Sequence, residues 1–237
     1  MNSVKKTARM TGVLYLAIFI ANLFVFLFVS GSLNVAGDAA ATAENIRASE
    51  SLYRSGVVSY LIVFLSEIGA TILLYKLLAP VNKTLALLMV ATRLMQAAVH
   101  AANLINFIMP LILLGGGDYL TAFTPDQVNS LVLLFTDVHY YGVLVSEAFF
   151  AVSLVLLGYL VYKSELFPGI LGIMLAIAGA FYALDSFGIF LMPQHQALIA
   201  NIMIAPAIIA ELSFTLWLLI KGVRTPKPES RQAMVTA

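Results

Sequence analysis

The sequence predicts an all-α membrane protein, a polytopic transmembrane bundle of six helices. Three observations predict this fold. Of 237 residues, 61% are hydrophobic and 11% are charged, whereas soluble domains average about 45–50% apolar and about 25% charged. The apolar residues fall into six stretches of membrane-spanning length, and most basic residues fall on one side of them. This composition excludes a soluble globular enzyme, a nucleic-acid-binding protein and a disordered chain.

Each predicted span has roughly the 20 mainly apolar residues that a helix needs to cross a hydrocarbon core of about 30 Å. We interpret the first as an uncleaved helix, because its apolar run exceeds the roughly 7–15 residues of a signal peptide. The chain has no cysteine, which excludes disulfides and thiolate chemistry. The spans lie near residues 10–31, 56–77, 84–107, 139–162, 168–191 and 198–220.

The basic residues predict that both the N- and the C-terminus are cytoplasmic. Lys and Arg are enriched in cytoplasmic loops, and with six spans ten of them fall on one side. The opposite side carries Arg47 and Arg54 together with several acids. The ten predicted cytoplasmic residues are Lys5, Lys6, Arg9, Lys76, Lys83, Lys163, Lys221, Arg224, Lys227 and Arg231.

Two outer segments have local signals of their own. Residues 38–53 are rich in alanine and predict a short extracytoplasmic helix after the first span, a solvated or interfacial cap. Thr124, Pro125 and Gln127 have the pattern of a capping box. The fourth helix is therefore expected to begin near Pro125 and run to Lys163. Residues 1–222 form a single six-span domain, and 223–237 are predicted to be a disordered cytoplasmic tail.

Small residues in the fifth span predict close helix packing. Gly172, Ala176, Gly179 and Ala183 recur at helical spacing, and such stripes let a neighbouring helix approach closely. No ligand is needed to explain them.

Charged residues within the spans are costly and usually face the bundle interior. Counted from the basic residues at the cytoplasmic ends, Glu67, Arg93 and Glu211 lie at one depth, roughly 13–15 Å inward at about 1.5 Å per residue. We expect Glu67 and Arg93 to form a structural ion pair, with Glu211 as a second partner for Arg93. Arg93 also begins the most regular polar stripe in the sequence, which continues through Gln96, His100 and Asn103.

A second polar layer is expected nearer the outside, and it is the candidate ligand-binding site. Carboxylates held together can share a proton, and histidine beside carboxylate can bind a divalent metal. No metal-binding spacing occurs within one helix, so we predict no metal and no cofactor. Each residue also has a structural interpretation, as a hydrogen-bonded core group or an interfacial aromatic. The candidates are His100, Asn103, Asp137, Tyr141, Glu147, Tyr182 and Asp185.

Several segments resemble a family of bacterial multi-span membrane proteins of unknown function, domain of unknown function 4386. The likeness runs from about residue 5 to about residue 222. It implies a bacterial inner-membrane location and brings no activity. The resembling segments are Ala8-Arg9-Met10-Thr11-Gly12-Val13-Leu14-Tyr15-Leu16, Gly37-Asp38-Ala39-Ala40-Ala41-Thr42-Ala43-Glu44-Asn45-Ile46, Leu77-Leu78-Ala79-Pro80-Val81-Asn82-Lys83, Leu157-Gly158-Tyr159-Leu160 and Leu171-Gly172 with Tyr182-Ala183-Leu184-Asp185-Ser186-Phe187.

Three classes of function are compatible with the sequence. The first, which the acidic excess favours, is a membrane protein whose outward-facing polar cavity binds a small molecule or cation. The second is a structural or accessory membrane subunit whose polar groups specify packing. The third is an intramembrane hydrolase using histidine and carboxylates. The partners expected are the lipid bilayer and such a ligand, and no nucleic acid; the sequence gives no oligomeric state.

Overall fold

The computed structural model describes residues 2–224 and is helical over most of them. Helix α1 covers Asn2–Phe24 and continues through a wider π-helical turn, Val25–Ser30, into a last turn at Gly31–Leu33. Short 3₁₀ turns occur at Asp118–Leu120 and Pro193–His195. The other helices are α2 (Ala39–Ala48), α3 (Glu50–Leu78), α4 (Lys83–Leu114), α5 (Pro125–Lys163), α6 (Gly169–Leu191) and α7 (Gln196–Ile220).

The prediction of six membrane-spanning helices is confirmed. Within residues 2–224, six helices are long and apolar enough to cross a membrane, namely α1 and α3 to α7. The predicted spans coincide with these helices or lie inside them, apart from Pro168, which immediately precedes α6. The chain is therefore an all-α, multi-pass membrane protein. The side on which each terminus lies stays a prediction.

Helix α5 begins and ends where the capping pattern predicts. It starts at Pro125 and ends at Lys163. The Gln127 side chain accepts a hydrogen bond of 2.8 Å from the Thr124 backbone, and the Thr124 hydroxyl accepts one of 3.3 Å from the Gln127 backbone. This reciprocal capping box satisfies amide groups that would otherwise lack partners at the start of the helix.

The helix predicted over residues 38–53 is shorter in the structure. Asp38 caps its first turn by accepting a hydrogen bond from the Ala41 amide. The helix ends at Ala48 because Ser49 leaves the helical conformation, with φ −126° and ψ 39°. Residues 50–53 instead form the first turn of α3. The short helix is not a fully solvated cap, since Thr42, Ala43 and Ile46 are buried.

The described chain packs as two compact units. Unit 1 comprises the chain up to Leu16, Glu67–Gln96 and the chain from Glu147 onward. Its core includes Leu74, Leu154 and Phe214. Unit 2 comprises Ala17–Ser66 and Ala97–Ser146. Its core includes Val29, Tyr53 and Phe107.

Helices α5 and α6 make very close backbone contact in unit 1. A Cβ atom added at Gly158 would lie 2.6 Å from the Ala176 amide nitrogen and 2.6 Å from the Gly172 carbonyl oxygen. A Cβ at Gly172 would lie 2.5 Å from the Gly158 oxygen. The small residues of the fifth span therefore serve packing, as predicted.

The end of α7 is held by a glycine turn. Gly222 has a positive φ of 72°, and its amide donates a 2.9 Å hydrogen bond to the Trp217 carbonyl. Such a turn is the common way to close a helix C-terminus. The Arg224 amide then donates to the Leu166 carbonyl at 2.8 Å. Of the tail predicted over 223–237, residues 225–237 lie outside the described residues.

Candidate functional site

Unit 1 contains a group of polar side chains that we call the acidic cluster. It holds four carboxyl groups and one guanidinium, contributed by five helices. Glu67, Arg93, Gln96 and Asp185 are each at least nine-tenths buried, and the other members are partly buried. The cluster consists of Glu67 from α3, Arg93 and Gln96 from α4, Glu147 from α5, Tyr182 and Asp185 from α6, and Glu211 from α7.

Arg93 is held by aromatic rings. Its side chain is 2% exposed. The guanidinium carbon lies 5.2 Å from the centroid of the Tyr15 ring and 4.9 Å from that of Phe150. Its Nε and Nη1 atoms have no hydrogen-bond partner among the described residues. Cation–π contacts stabilise the buried charge, while two of the donor nitrogens stay available.

The Glu67 carboxylate accepts hydrogen bonds from the side-chain amide of Gln96. The Gln96 Nε2 atom donates to the two carboxylate oxygens of Glu67 at 3.2 and 3.4 Å. Arg93 lies within electrostatic range of both Glu67 and Glu211. In residues 2–224, salt-bridge distances occur only at the exposed pairs Arg47–Glu44 and Arg54–Glu50. The direct Glu67–Arg93 ion pair therefore stays a prediction, and Gln96 is the direct partner of Glu67.

Tyr182 connects residues that were predicted from the sequence to lie at two different depths in the membrane. Its hydroxyl donates a 2.7 Å hydrogen bond to the Glu211 carboxylate. Its ring packs edge-on against Phe150, with ring centroids 4.9 Å apart. Tyr182, from the predicted outer layer, thus shares one cluster with Glu211, from the predicted inner one.

Glu147 and Asp185 face each other as a carboxyl pair. The two groups lie close enough to interact electrostatically. A carboxylate is only an acceptor, so a bond between two carboxyl groups requires one of them to carry a proton. Glu147 Oε2 and Asp185 Oδ1 have no hydrogen-bond partner in the described part of the chain. The pair can therefore hold a proton or face a bound cation.

Unit 2 contains a separate group, the histidine cluster, formed by Tyr60, His100, Asn103 and His139. Asn103 Nδ2 donates to the His139 carbonyl at 2.8 Å and lies 3.2 Å from His139 Nδ1. His139 Nε2 lies 3.3 Å from the Tyr60 hydroxyl. The two imidazole rings are 6.2 Å apart between centroids, and His100 Nε2 has no hydrogen-bond partner within residues 2–224. The cluster is a hydrogen-bonded core with one free ring nitrogen.

The structure divides the seven predicted ligand-binding candidates. Glu147, Tyr182 and Asp185 belong to the acidic cluster, and His100 and Asn103 to the histidine cluster. Asp137 and Tyr141 are exposed on α5, so neither belongs to a buried cluster.

His139 and Tyr60 are not among the seven predicted candidates. The buried face of α5 carries Thr136, His139 and Ser146 instead of Asp137 and Tyr141. Small hydroxyl residues at helical spacing from His139 were the available signal. Tyr60 gave no signal, because a tyrosine in an apolar span is also typical of packing.

Histidine and carboxylate side chains come together in small groups in the described residues. Among residues 2–224, no group of three or more His, Asp or Glu side chains converges well enough to hold a metal ion. The prediction of no metal is not tested by this geometry, since a metal site can be completed on binding.

The sequence comparisons give a family without an assigned activity. An "Uncharacterized protein" of Archaeoglobus fulgidus is 28% identical over 167 residues, which cover 70% of this chain and 83% of that protein. No solved structure matches the chain. Residues 10–222 match the family described as "Domain of unknown function (DUF4386)", and because that match covers most of the chain, the protein belongs to this family.

Proposed function

We propose that the protein binds a small monovalent cation at the acidic cluster. The observation that carries the proposal is the excess of four carboxyl groups, on Glu67, Glu147, Asp185 and Glu211, over the single guanidinium of Arg93. All lie in membrane-spanning helices.

Charge balance is the physical argument. An uncompensated charge in an apolar interior is costly, and such groups neutralise themselves or acquire partners. The four carboxyl groups of Glu67, Glu147, Asp185 and Glu211 can carry up to four negative charges, against one positive charge on Arg93. These charges require further protons or cations. Entry of a cation and loss of a proton are therefore expected to be linked.

The cation is expected to be monovalent. A tightly bound divalent ion takes several oxygen ligands at once, and no group of three acidic or histidine side chains converges in the described chain. An alkali ion carries a single positive charge and so needs fewer anionic ligands, and a small organic ammonium can donate directly to the Glu147–Asp185 pair.

One specific observation favours the alternative function, a structural or accessory membrane subunit. The hydrogen bonds from Gln96 to Glu67 and from Tyr182 to Glu211 each join two helices. Polar bonds of this kind hold membrane helices together. No observation within residues 2–224 specifically favours the hydrolase alternative.

Cation titration tests the proposal. The unfolding temperature, Tm, of the purified protein is measured against sodium, potassium or methylammonium chloride, with N-methylglucamine chloride holding ionic strength constant. We expect one cation to raise Tm saturably, because a ligand that binds only the folded state stabilises it by about 2.7 kcal/mol at 100 times its Kd. A double variant, Glu147→Gln with Asp185→Asn, should lose this response.

The matched control removes acids that lie outside the cluster. Glu44→Gln with Glu50→Gln also removes two carboxylates, both in exposed ion pairs, and should keep the response. An equal response to every cation, or one that survives in the cluster variant, would contradict the proposal.

Alanine substitutions separate binding from packing. The three single variants Glu147→Ala, Asp185→Ala and His100→Ala are compared with Glu67→Ala. If all three lower Tm as Glu67→Ala does, these side chains are structural. Unchanged or raised stability at Glu147 and Asp185 supports binding, because binding residues are often not optimised for stability.

We also propose that the protein lies in the inner membrane of a bacterium, with the carboxyl pair accessible from the outer side. The sequence resemblance supports the location, and the asymmetry of basic residues supports the direction. Membrane fractionation tests the location, and cysteine labelling of the loops tests the orientation of the chain.

A further inference from the structure

An open groove of about 370 Å³ runs along the first turns of α1 in unit 1. Among the described residues, it is lined by Lys5, Lys6, Arg9, Met10 and Val13. Met10 is 50% exposed and Val13 is 57% exposed, and all three basic side chains are exposed. The groove thus has a basic end and, one turn further into the helix, an apolar end.

The end of α7 supports the basic part of the groove. Arg9 Nη2 donates to the Ile220 carbonyl at 3.4 Å, which gives a partner to an otherwise free helix-end carbonyl. The positive φ of Gly222 brings its backbone against Lys5, and a Cβ atom at Gly222 would lie 3.0 Å from Lys5 Cγ. The aliphatic stem of Lys5 is therefore packed on the protein.

The three positive charges have no acidic partner among the described residues. No carboxylate of residues 2–224 forms a salt bridge with Lys5, Lys6 or Arg9. Because α1 spans the membrane, its basic first turns lie near the headgroups of one leaflet and its apolar residues lie deeper. Basic side chains beside a membrane helix attract anionic lipid headgroups, and each one adds to the attraction at physiological salt.

We propose that this groove binds one anionic phospholipid, independently of the acidic cluster. Lys5, Lys6 and Arg9 hold the phosphate by charge-assisted hydrogen bonds. The first acyl carbons lie along Met10 and Val13. Binding of a phospholipid depends on the order of the lining residues along α1. This order places the charged side chains at the level of the headgroups and the apolar side chains at the level of the acyl chains.

Native mass spectrometry of the full chain, with phosphatidylglycerol or phosphatidylcholine added to detergent micelles, tests this proposal. We expect one phosphatidylglycerol to remain bound under conditions that remove phosphatidylcholine. The variant with Lys5→Gln, Lys6→Gln and Arg9→Gln should weaken that binding by at least about tenfold, because three basic contacts are lost. The single variant Lys6→Gln should give a smaller loss, and it serves if the triple variant does not fold.

The control removes the same charge from other span ends. This control variant carries Lys76→Gln, Lys83→Gln and Lys163→Gln. The three residues are outside the groove, so the variant should keep the bound lipid. Equal losses in both variants would overturn the site. Retention of phosphatidylcholine equal to that of phosphatidylglycerol would also overturn it. Displacement of the lipid by inorganic phosphate at similar concentration would show a phosphate site without an acyl contact, and would overturn the lipid proposal.

Discussion

The hydroxyl of Tyr182 on α6 donates a 2.7 Å hydrogen bond to the carboxylate of Glu211 on α7. This bond joins two neighbouring helices and gives a partner to a carboxylate within a membrane-spanning helix. The Tyr182 ring also packs edge-on against Phe150. The guanidinium carbon of Arg93 lies 4.9 Å from the centroid of the same Phe150 ring. The Phe150 ring therefore contacts both the guanidinium and the tyrosine of the acidic cluster.

Replacing Tyr182 by Phe removes this hydrogen bond and keeps the ring. We expect Tyr182→Phe to lower the free energy of unfolding by about 1.5–3 kcal/mol, the usual range for a hydrogen bond to a charged group. Most of the loss arises because the Glu211 carboxylate is left without its donor. Thermal or denaturant unfolding in detergent measures the change.

Tyr15→Phe is the matched control. The Tyr15 hydroxyl is buried and has no hydrogen-bond partner among the described residues, so its removal should be neutral or slightly stabilising. If both variants lose the same stability, the Tyr182–Glu211 bond is not the cause.

The sequence predicted the spans well because each one depends on local composition. A run of apolar residues long enough to cross a bilayer is a strong signal, and Thr124 and Gln127 marked the start of α5. The boundary at Ser49 was not predicted, because both sides of it are favourable for helix and only the local backbone turn separates them.

The polar clusters were harder to predict because they depend on contacts between helices. Counting residues along a helix gives depth, but it does not give the reach of a side chain, so the Tyr182–Glu211 bond was not foreseen. On α5, the spacing allowed either Asp137 or His139 to face inward, and burial selects His139. The hydrogen bond from the Gln96 amide to Glu67 was likewise not foreseen.

Exchanging the charges of Glu67 and Arg93 tests whether the two residues form a pair. Glu67→Arg or Arg93→Glu alone should abolish or strongly reduce folding, because removing one partner of a buried pair costs about 3–5 kcal/mol. The double variant should recover part of the loss. Gln96 can assist, since its amide can present either a donor or an acceptor and its Oε1 has no partner within residues 2–224. Yield of monodisperse protein and Tm measure the recovery.

The same exchange at an exposed pair provides the control. Glu50 and Arg54 form an exposed ion pair one turn apart on α3, and such pairs contribute roughly 0.2–1 kcal/mol. Exchanging them should change stability little. A double Glu67–Arg93 variant no more stable than its single variants would exclude the pair.

Close packing of α5 on α6 predicts that Gly158→Ala is strongly destabilising. The added methyl would lie 2.6 Å from backbone atoms of Gly172 and Ala176, and backbone cannot move aside as a side chain can. We expect a loss of roughly 1–3 kcal/mol or more, the usual cost of overpacking. Gly188→Ala is the control, because its methyl would meet the flexible end of Ile199 at 3.2 Å. Equal effects on Tm would contradict the packing argument.

The absence of cysteine makes membrane orientation directly measurable. Single cysteines at exposed positions report the side of each loop by reaction with a membrane-impermeant maleimide in intact cells and after permeabilisation. With both termini cytoplasmic, as the basic residues predict, Ser3→Cys and Glu165→Cys should react only after permeabilisation. Ser51→Cys and Asp118→Cys should react in intact cells. All four positions are exposed in the structure, so poor reactivity cannot arise from burial in the protein. The reverse pattern would place the termini outside, and it would also reverse the leaflet in which the basic groove of α1 lies.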